Sequence, residues 1–270
     1  MAEKNRLDAE LLARGLVPSR ERGRALIMAG VVYVGGQKAL KAGQPVKSED
    51  VIEVRENINP FVSRGGLKLQ KAMQAFPIHL DGTVCIDVGA STGGFTDCML
   101  QSGAIKVYAV DVGYGQLAWK LRTDERVVNL ERTNFRHCTA EQIPDLADFA
   151  SVDVSFISLK IILPVLRTFL RDDGEAVCLI KPQFEAGREN VGKKGVVRDK
   201  AVHESVVRQI TQFAADSGFT VQGLTFSPIK GPEGNIEYLM YIRKTQVGAL
   251  ALETDVAELV ERSHAKLDKE

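Results

Sequence analysis

VCIDVGASTGGFTD, residues 84–97, is the stretch whose reading decides the fold. An apolar strand-like run carries one acid, glycines at 89, 93 and 94 interrupt it, and a helical pattern begins at once. A strand that turns through glycines into a helix opens a doubly wound α/β sheet. The glycines permit a sharp turn and let a ligand lie close to main-chain N–H groups, where a Cβ would block both. The motif is Asp87-x-Gly89-x-x-x-Gly93-Gly94. Its spacing is not the G-x-G-x-x-G of dinucleotide folds, and an acid on the strand ahead of the glycines is ill suited to a pyrophosphate. A carboxylate suits a cationic sulfonium ligand better; the alternative is a glycine-rich turn with a structural Asp87.

Outward from this unit, KVYAVDV, VVNLE, SVDVSFI and EAVCLIK are further apolar runs of parallel-strand type, alternating with helical segments at 94–102, 158–170 and 199–217. Repeated strand and helix predict a parallel sheet covered on both faces. The series closes differently. TVQGLTFSPI and NIEYLMYIRK are joined by KGPEG with no helix between them, which predicts an antiparallel hairpin at the sheet edge, a closing feature of methyltransferase rather than dehydrogenase sheets. Asp111, in AVDVGYGQL after the second strand, stands where such folds place the acid that accepts hydrogen bonds from ribose hydroxyls. Residues 246–270 predict a terminal helix behind Thr254, with Val256, Leu259, Val260 and Leu267 near helical spacing.

Ahead of the sheet lies a small α+β pattern. Leu7, Leu11 and Leu12 share one helical face, Ser19 is an N-cap for a second helix with Ala25, Leu26 and Met28 apolar, and Gly30 ends it. VVYV, the Gly35-Gly36 turn and a strand near 51–54 complete a unit of about 55 residues. The expected division is 1–58, 59–245 and a helical tail over 246–270. The chain has 35 basic and 35 acidic residues, so any nucleic-acid affinity must come from local asymmetry. Residues 1–71 supply it, with thirteen Lys and Arg against eight Asp and Glu, whereas 250–270 carry three against six. Arg6, Arg14, Arg20, Arg22, Arg24 and Lys38 are the candidate phosphate contacts; the plainer reading is a solvated helix face. The charged N-terminus and the lack of any run of about 18 apolar residues predict a cytoplasmic protein without a membrane span. Four cysteines lack metal-ligand spacing, and Cys85 and Cys178 lie in buried-strand text, so no metal is expected.

Asp153 in SVDVSF, Lys181 closing EAVCLIK and Glu237 in GNIEYLM stand at strand ends or the hairpin, where parallel-sheet proteins place chemistry, and Lys68 lies in SRGGLKL. Charges within apolar text need partners, and these four can partner one another as a reactive group; the alternatives are an ion-pair network without chemistry, or a Lys68 merely solvated on a helix. The loop GRENVGKKGVVRD interleaves glycines with Arg188, Lys193, Lys194 and Arg198, and reads either as a flap over RNA phosphates or as a solvated loop. His137 and His203 receive no role, and His203 is expected at the surface of its helix.

With SRGGLKL at 63–69, DVGASTGGFTD at 87–97, DVSFIS at 153–158, KPQFEAGRENVGKKGVVRD at 181–199 and GPEGNIEYL at 231–239, the chain resembles the TlyA family over nearly its whole length. That family is described both as haemolysins and as rRNA 2′-O-methyltransferases, and its catalytic domain is similar to FtsJ-type RNA ribose methyltransferases. The first 55 or so residues resemble the small RNA-binding domain shared by a ribosomal protein, pseudouridine synthases and aminoacyl-tRNA synthetases. The resemblance implies S-adenosylmethionine as cofactor, cytidine ribose in ribosomal RNA or ribosomal subunits as substrate, no obligate protein partner, and a catalytic tetrad at Lys68, Asp153, Lys181 and Glu237. The expected cofactor contacts are Asp87, Gly89, Ala90, Ser91, Thr92, Gly93, Gly94, Phe95, Asp111 and Asp153, and Arg64 joins the RNA contacts. One departure is visible after Val54, where RENINPF lacks the tryptophan of the best-known members.

A ribose 2′-OH is a poor nucleophile and must lose its proton as the carbon–oxygen bond forms. Lys181 is the expected base, favoured by burial beside Lys68 and a sulfonium; Asp153 orients it, and Glu237 and Lys68 position the ribose. Two other readings remain, a membrane-lytic protein and an RNA-binding module with an inactive methyltransferase domain. The acidic terminal segment argues against the first, and the intact tetrad against the second.

Overall fold

A computed structural model describes residues 4–54, 59–251 and 254–268. The chain forms two compact units, Met1–Asn59 and Pro60–Glu270. Arg55 to Ile58, which hold most of the tryptophan-free RENINPF segment, lie outside the described residues.

The first unit runs β1 (Lys4–Arg6), α1 (Leu7–Ala13), α2 (Arg20–Met28), β2 (Val32–Val34), β3 (Gln37–Lys38), β4 (Pro45–Lys47) and β5 (Ile52–Val54). β1 pairs with β4, and β2 lies between β3 and β5, all antiparallel. Ser19 caps α2, its hydroxyl accepting from the Arg22 N–H. Gly35 and Gly36 both have positive φ, as a tight β2–β3 turn requires. Leu7, Leu11, Leu26, Ile27, Val32 and Val46 form the core. Two expected core residues are displaced. Leu12 on α1 is 39% exposed, where Leu7 and Leu11 face inward, and Met28 on α2 is 86% exposed, where Leu26 and Ile27 do. Strands β1 and β4 were not legible: three residues of mixed polarity give no alternation to read.

The second unit begins with α3 (Gly65–Ala75), then β6 (Val84–Val88), α4 (Gly94–Gln101), β7 (Lys106–Val110), α5 (Trp119–Arg122), β8 (Val127–Leu130), β9 (Ala147–Val152) and α6 (Leu159–Phe169). It continues with β10 (Leu170–Ile180), α7 (Pro182–Glu185), α8 (Lys200–Asp216), β11 (Phe219–Phe226), β12 (Tyr238–Lys244), β13 (Ala249–Leu250) and α9 (Val256–Leu267). The sheet order is β13-β11-β12-β10-β9-β6-β7-β8. From β10 to β8 the strands are parallel, whereas β12 runs antiparallel to both β10 and β11. This is the expected doubly wound α/β sheet with an antiparallel pair toward one edge. The outermost strand there is the unforeseen β13, parallel to β11.

Strand periodicity builds two cores. Ile86, Val88, Ala150, Val152, Cys178 and Ile180 face α6, α8 and α9, while Cys85, Val107, Phe149, Val177 and Leu179 face α3 and α4. Helix starts follow the caps in the sequence, with Ser158, Asp199 and Asp255 each accepting from a backbone N–H in the first turn. The last helix thus begins at Asp255, not Thr254, and its expected apolar positions Val256, Leu259, Val260 and Leu267 are buried. SVDVSFI is also shifted, since β9 ends at Val152 and leaves Asp153 just beyond the strand. Successive strands leave β6 on opposite sides, to β7 and β8 one way and to β9 and β10 the other. Doubly wound sheets bind their ligands at such a switch point, which here lies beyond the carboxyl ends of β6 and β9.

Candidate active site

The carboxyl end of β6 runs into the glycine loop, and its glycines serve the packing of the chain itself. Gly89 has φ +86°, and a Cβ there would lie 2.5 Å from the Asp153 carbonyl oxygen. A Cβ on Gly93 would strike the Leu121 and Leu117 side chains, and one on Gly94 would meet Ser63 and the Gly66 N–H, 2.7 Å away. Ser91 and Thr92 reach solvent and Gly89 is part-exposed; Ala90 and Phe95 are buried in the α3/α4 core. Asp111 follows β7 and is part-exposed. Its carboxylate accepts from the Ser91 N–H (2.8 Å) and the Gly113 N–H (2.7 Å), so it ties the two loops together.

Asp87 corrects the sequence reading. It is 1% exposed, with one oxygen accepting from the Thr96 N–H (2.9 Å) and hydroxyl (2.7 Å) and the other from the Ser151 hydroxyl (2.9 Å). The carboxylate ties β6 to α4 and β9 and is shut away from the surface that a sulfonium would approach. Burial pushes its pKa up to about 6, against the opposing bonds from Thr96 and Ser151. The folded state therefore holds this proton more tightly than the unfolded chain does. Its contribution to stability is present below the unfolded value near 4 and is lost as pH rises through about 6, a change of roughly 2–3 kcal/mol. Asp87→Asn keeps the acceptor for Thr96 and removes the titration. Relative to the parent, the variant should gain stability by about that amount between pH 4 and pH 7 in urea unfolding. Parallel pH profiles for the two proteins would refute the assignment.

The four charged residues of the expected tetrad converge although they come from four separate elements. Lys68, on the buried face of α3, donates to Glu237 at 2.7 Å and to Asp153 at 3.1 Å. Lys181, at the end of β10, lies 2.5 Å from the other Asp153 oxygen and 3.3 Å from the Ser155 hydroxyl. Glu237, just before β12, is 1% exposed. The Asp153 carboxylate stands between the two ammonium groups, so Lys68 does not press directly on Lys181 as the sequence reading supposed. For Lys68, burial opposes its charge, but Asp153 and Glu237 together outweigh that and its pKa is raised. Asp153 is held below the usual carboxylate range, burial again opposing and both lysines prevailing.

An aromatic pair that the sequence reading missed borders the tetrad. Phe156 is 91% exposed at φ +63°, its ring 5.0 Å from that of Phe184, and the Lys181 ammonium lies 5.8 Å from the Phe184 ring centroid. A bulky residue held in the left-handed region while fully exposed is strained for a reason other than packing. DVSFIS gave only an aromatic two residues before a helix cap, and neither φ nor exposure is legible there.

The basic residues divide. Arg14 is a structural clip, donating to Glu10 (2.8 Å) and to the carbonyls of Asp50 (2.7 Å), Lys47 (3.0 Å) and Ser48 (2.9 Å), so its phosphate role is withdrawn. Arg6, Arg20 and Arg24 all bond to Asp8. Arg22 and Lys38 are exposed, as are Arg64 at the start of α3 and Arg188, Lys193 and Lys194 in the loop before α8. That loop is anchored at Val197, whose N–H donates to the buried Asn235 side chain. His203 is not at the surface, being fully buried. Its Nε2–H donates to the Val197 carbonyl (3.0 Å) and its Nδ1 pairs with the Tyr238 hydroxyl (2.8 Å), because α9 covers the face of α8 that periodicity left open.

Among the described residues no group of three or more His, Cys, Asp or Glu side chains is placed to hold a metal ion, and no helix is long and apolar enough to cross a membrane. The FtsJ-like methyltransferase family matches residues 61–244 and the S4 domain matches residues 5–52. YqxC of Bacillus subtilis is 50% identical over 98% of this chain and 96% of its own length. The 16S/23S rRNA (cytidine-2′-O)-methyltransferase TlyA of Mycobacterium tuberculosis is 44% identical over 93% of this chain and 94% of its own. A solved structure from Streptococcus thermophilus, which bears a hemolysin name, superposes with a TM-score of 0.79 at 45% identity, covering 100% of this chain and 98% of that one. A glycine-looped sheet, a lysine–carboxylate tetrad at its switch point and matches spanning both units lead to one assignment: the chain belongs to the TlyA group of FtsJ-like methyltransferases, with an S4 domain ahead of the catalytic one.

Proposed function

We propose that this protein transfers the methyl group of S-adenosylmethionine to a cytidine ribose 2′-hydroxyl of ribosomal RNA in the cytoplasm. The observation that carries the reading is the Asp153 carboxylate held between Lys181 and Lys68 beside the glycine loop. The names of the relatives supply the nucleotide and the RNA. The carboxyl ends of β6, β7 and β9 suit the cofactor: Asp111 stands part-exposed for ribose hydroxyls, the exposed Ser91–Thr92 turn lies beside it, and the part-exposed Asp153 offers a carboxylate toward a cationic centre. Bound there, the cofactor supplies an electrophilic methyl on a sulfonium that departs as a neutral thioether.

The two lysines are unequal. Lys68, gripped by two carboxylates with a raised pKa, is a permanent cation that fixes Asp153 and Glu237. Lys181 answers to one carboxylate and lies 3.3 Å from the hydroxyl of the exposed Ser155. It takes the 2′-hydroxyl proton as a neutral amine, after its ammonium has released one proton to solvent, with Asp153 setting its direction. Phe156 stacks a base splayed out of the RNA, bringing that nucleotide's ribose toward Lys181.

The reading is tested by incubating the protein with ribosomal RNA and methyl-labelled cofactor, then mapping label and alkaline resistance. Label at a linkage that resists alkali supports it, and label confined to a base overturns it. Phe156→Gly separates strain from function. Stability should hold or rise by about 1 kcal/mol as the left-handed strain is relieved, while KM for RNA rises on the order of ten-fold or more. Unchanged KM would remove Phe156 from the site. The hemolysin name borne by a relative suggests a lytic surface, but the apolar face of the terminal helix α9 is spent inside the core.

A further inference from the structure

An acid sits at the centre of the basic face of the S4 unit. Asp8, in the first turn of α1, is fully buried, yet its carboxylate receives hydrogen bonds from three arginines. Arg6 at the end of β1 binds it in a fork, Nε to Oδ1 at 3.0 Å and Nη2 to Oδ2 at 3.2 Å. Arg20 and Arg24, one turn apart on α2, reach the same Oδ2 through Nη2 at 3.2 Å and Nε at 3.0 Å. The Arg6 guanidinium lies over Gly43, where a Cβ would come within 3.0 Å of Nη1. All three side chains remain about half-exposed, at 55%, 46% and 55%.

One carboxylate does not need three arginines. Neutralising it takes a single cation, and a buried acid with no task beyond folding is readily replaced by an apolar residue. The excess is two positive charges, carried on three half-open guanidinium groups drawn from one helix and one strand. Free arginines must surrender much rotamer freedom to grip a phosphate, and fixing them beforehand removes that cost from binding. We propose that Asp8 is a positioning residue that holds Arg6, Arg20 and Arg24 as one preformed clamp for RNA backbone phosphates. The inference rests on the reading that this protein binds ribosomal RNA.

Charge counting and preorganisation predict opposite signs, which makes the clamp testable. Asp8→Asn removes a negative charge from an RNA-binding face, so electrostatics alone predicts tighter binding. The clamp predicts about ten-fold weaker binding and a shallower salt slope, since splayed arginines make fewer simultaneous phosphate contacts. Arg24→Lys keeps the charge at an exposed site but loses the Nε bond and the planar fork, and should weaken binding several-fold. Affinity for purified ribosomal RNA is measured with the full-length variants between roughly 50 and 200 mM salt, beside thermal melts and cofactor titrations. If Asp8→Asn does not fold, Arg24→Lys decides. A folded Asp8→Asn, or Arg24→Lys, that matches or exceeds the parent overturns the clamp. The double variant Arg20→Ala, Arg24→Ala is the control for the underlying reading: it should reduce the salt slope by about 0.7–0.9 per lost contact. If that variant binds as the parent does, it is the reading of this face as RNA-binding that fails.

Discussion

Lys181→Ala is expected to lower single-turnover methyl transfer by about 10³, some 4 kcal/mol, while leaving RNA and cofactor affinities near those of the parent. The loss falls on the chemical step because the lysine's task, taking the 2′-hydroxyl proton, arises only as the new bond forms. The fold should tolerate the change. Without Lys181, Asp153 still has Lys68 at 3.1 Å, so no buried carboxylate is left without a cation. Lys68→Ala is a different experiment, since it strips Glu237 of the ammonium that binds it at 2.7 Å and leaves a buried charge whose cost is about 3–5 kcal/mol. A comparison of the two variants separates base from scaffold. A Lys181→Ala rate within ten-fold of the parent would make Lys181 an ion-pair partner and end the proposed mechanism.

Gly89→Ala should remove cofactor binding and cost about 3–4 kcal/mol, a large share of the roughly 5–15 kcal/mol that holds a domain together. Two penalties coincide. The φ of +86° is strained for any residue with a Cβ, and that Cβ would lie 2.5 Å from the Asp153 carbonyl oxygen and 3.0 Å from its carbon. Backbone cannot rotate aside as a side chain can. β6 and β9 are paired up to Val88 and Val152, with the Asp153 N–H donating to the Val88 carbonyl at 2.9 Å, so the wedge acts on the residue that bridges both lysines. Calorimetric titration with S-adenosylmethionine and a thermal melt check both halves. Asp111→Ala, part-exposed and away from the strand seam, should weaken cofactor binding with little effect on the melt. A Gly89→Ala protein with the parent's melting temperature and affinity would show that the seam yields more easily than its geometry implies.

The sequence by itself determined the doubly wound sheet, the antiparallel pair near its end and the starts of most long helices. These follow from local rules: a period of two or 3.6, glycine where φ is positive, and Ser or Asp where the first N–H groups need an acceptor. The tetrad was legible too, because charges in apolar text must find partners and four such residues were available to one another. Which atoms meet was decided only by the tertiary structure, since Lys68 and Glu237 are 169 residues apart and Lys68 and Asp153 are 85. The same limit misplaced Asp87, Arg14 and His203. Their sequence neighbours suggested a ligand contact, a phosphate contact and a surface residue, but Ser151, the carbonyls of 47–50 and helix α9 engage them from distant parts of the chain. Phe156 and Asp8 gave no local signal, because a strained φ and the convergence of three arginines on one carboxylate exist only once separate elements have packed. Local covalent geometry writes periodicity into the sequence, whereas burial and charge pairing are set by whichever residues the folded chain brings together.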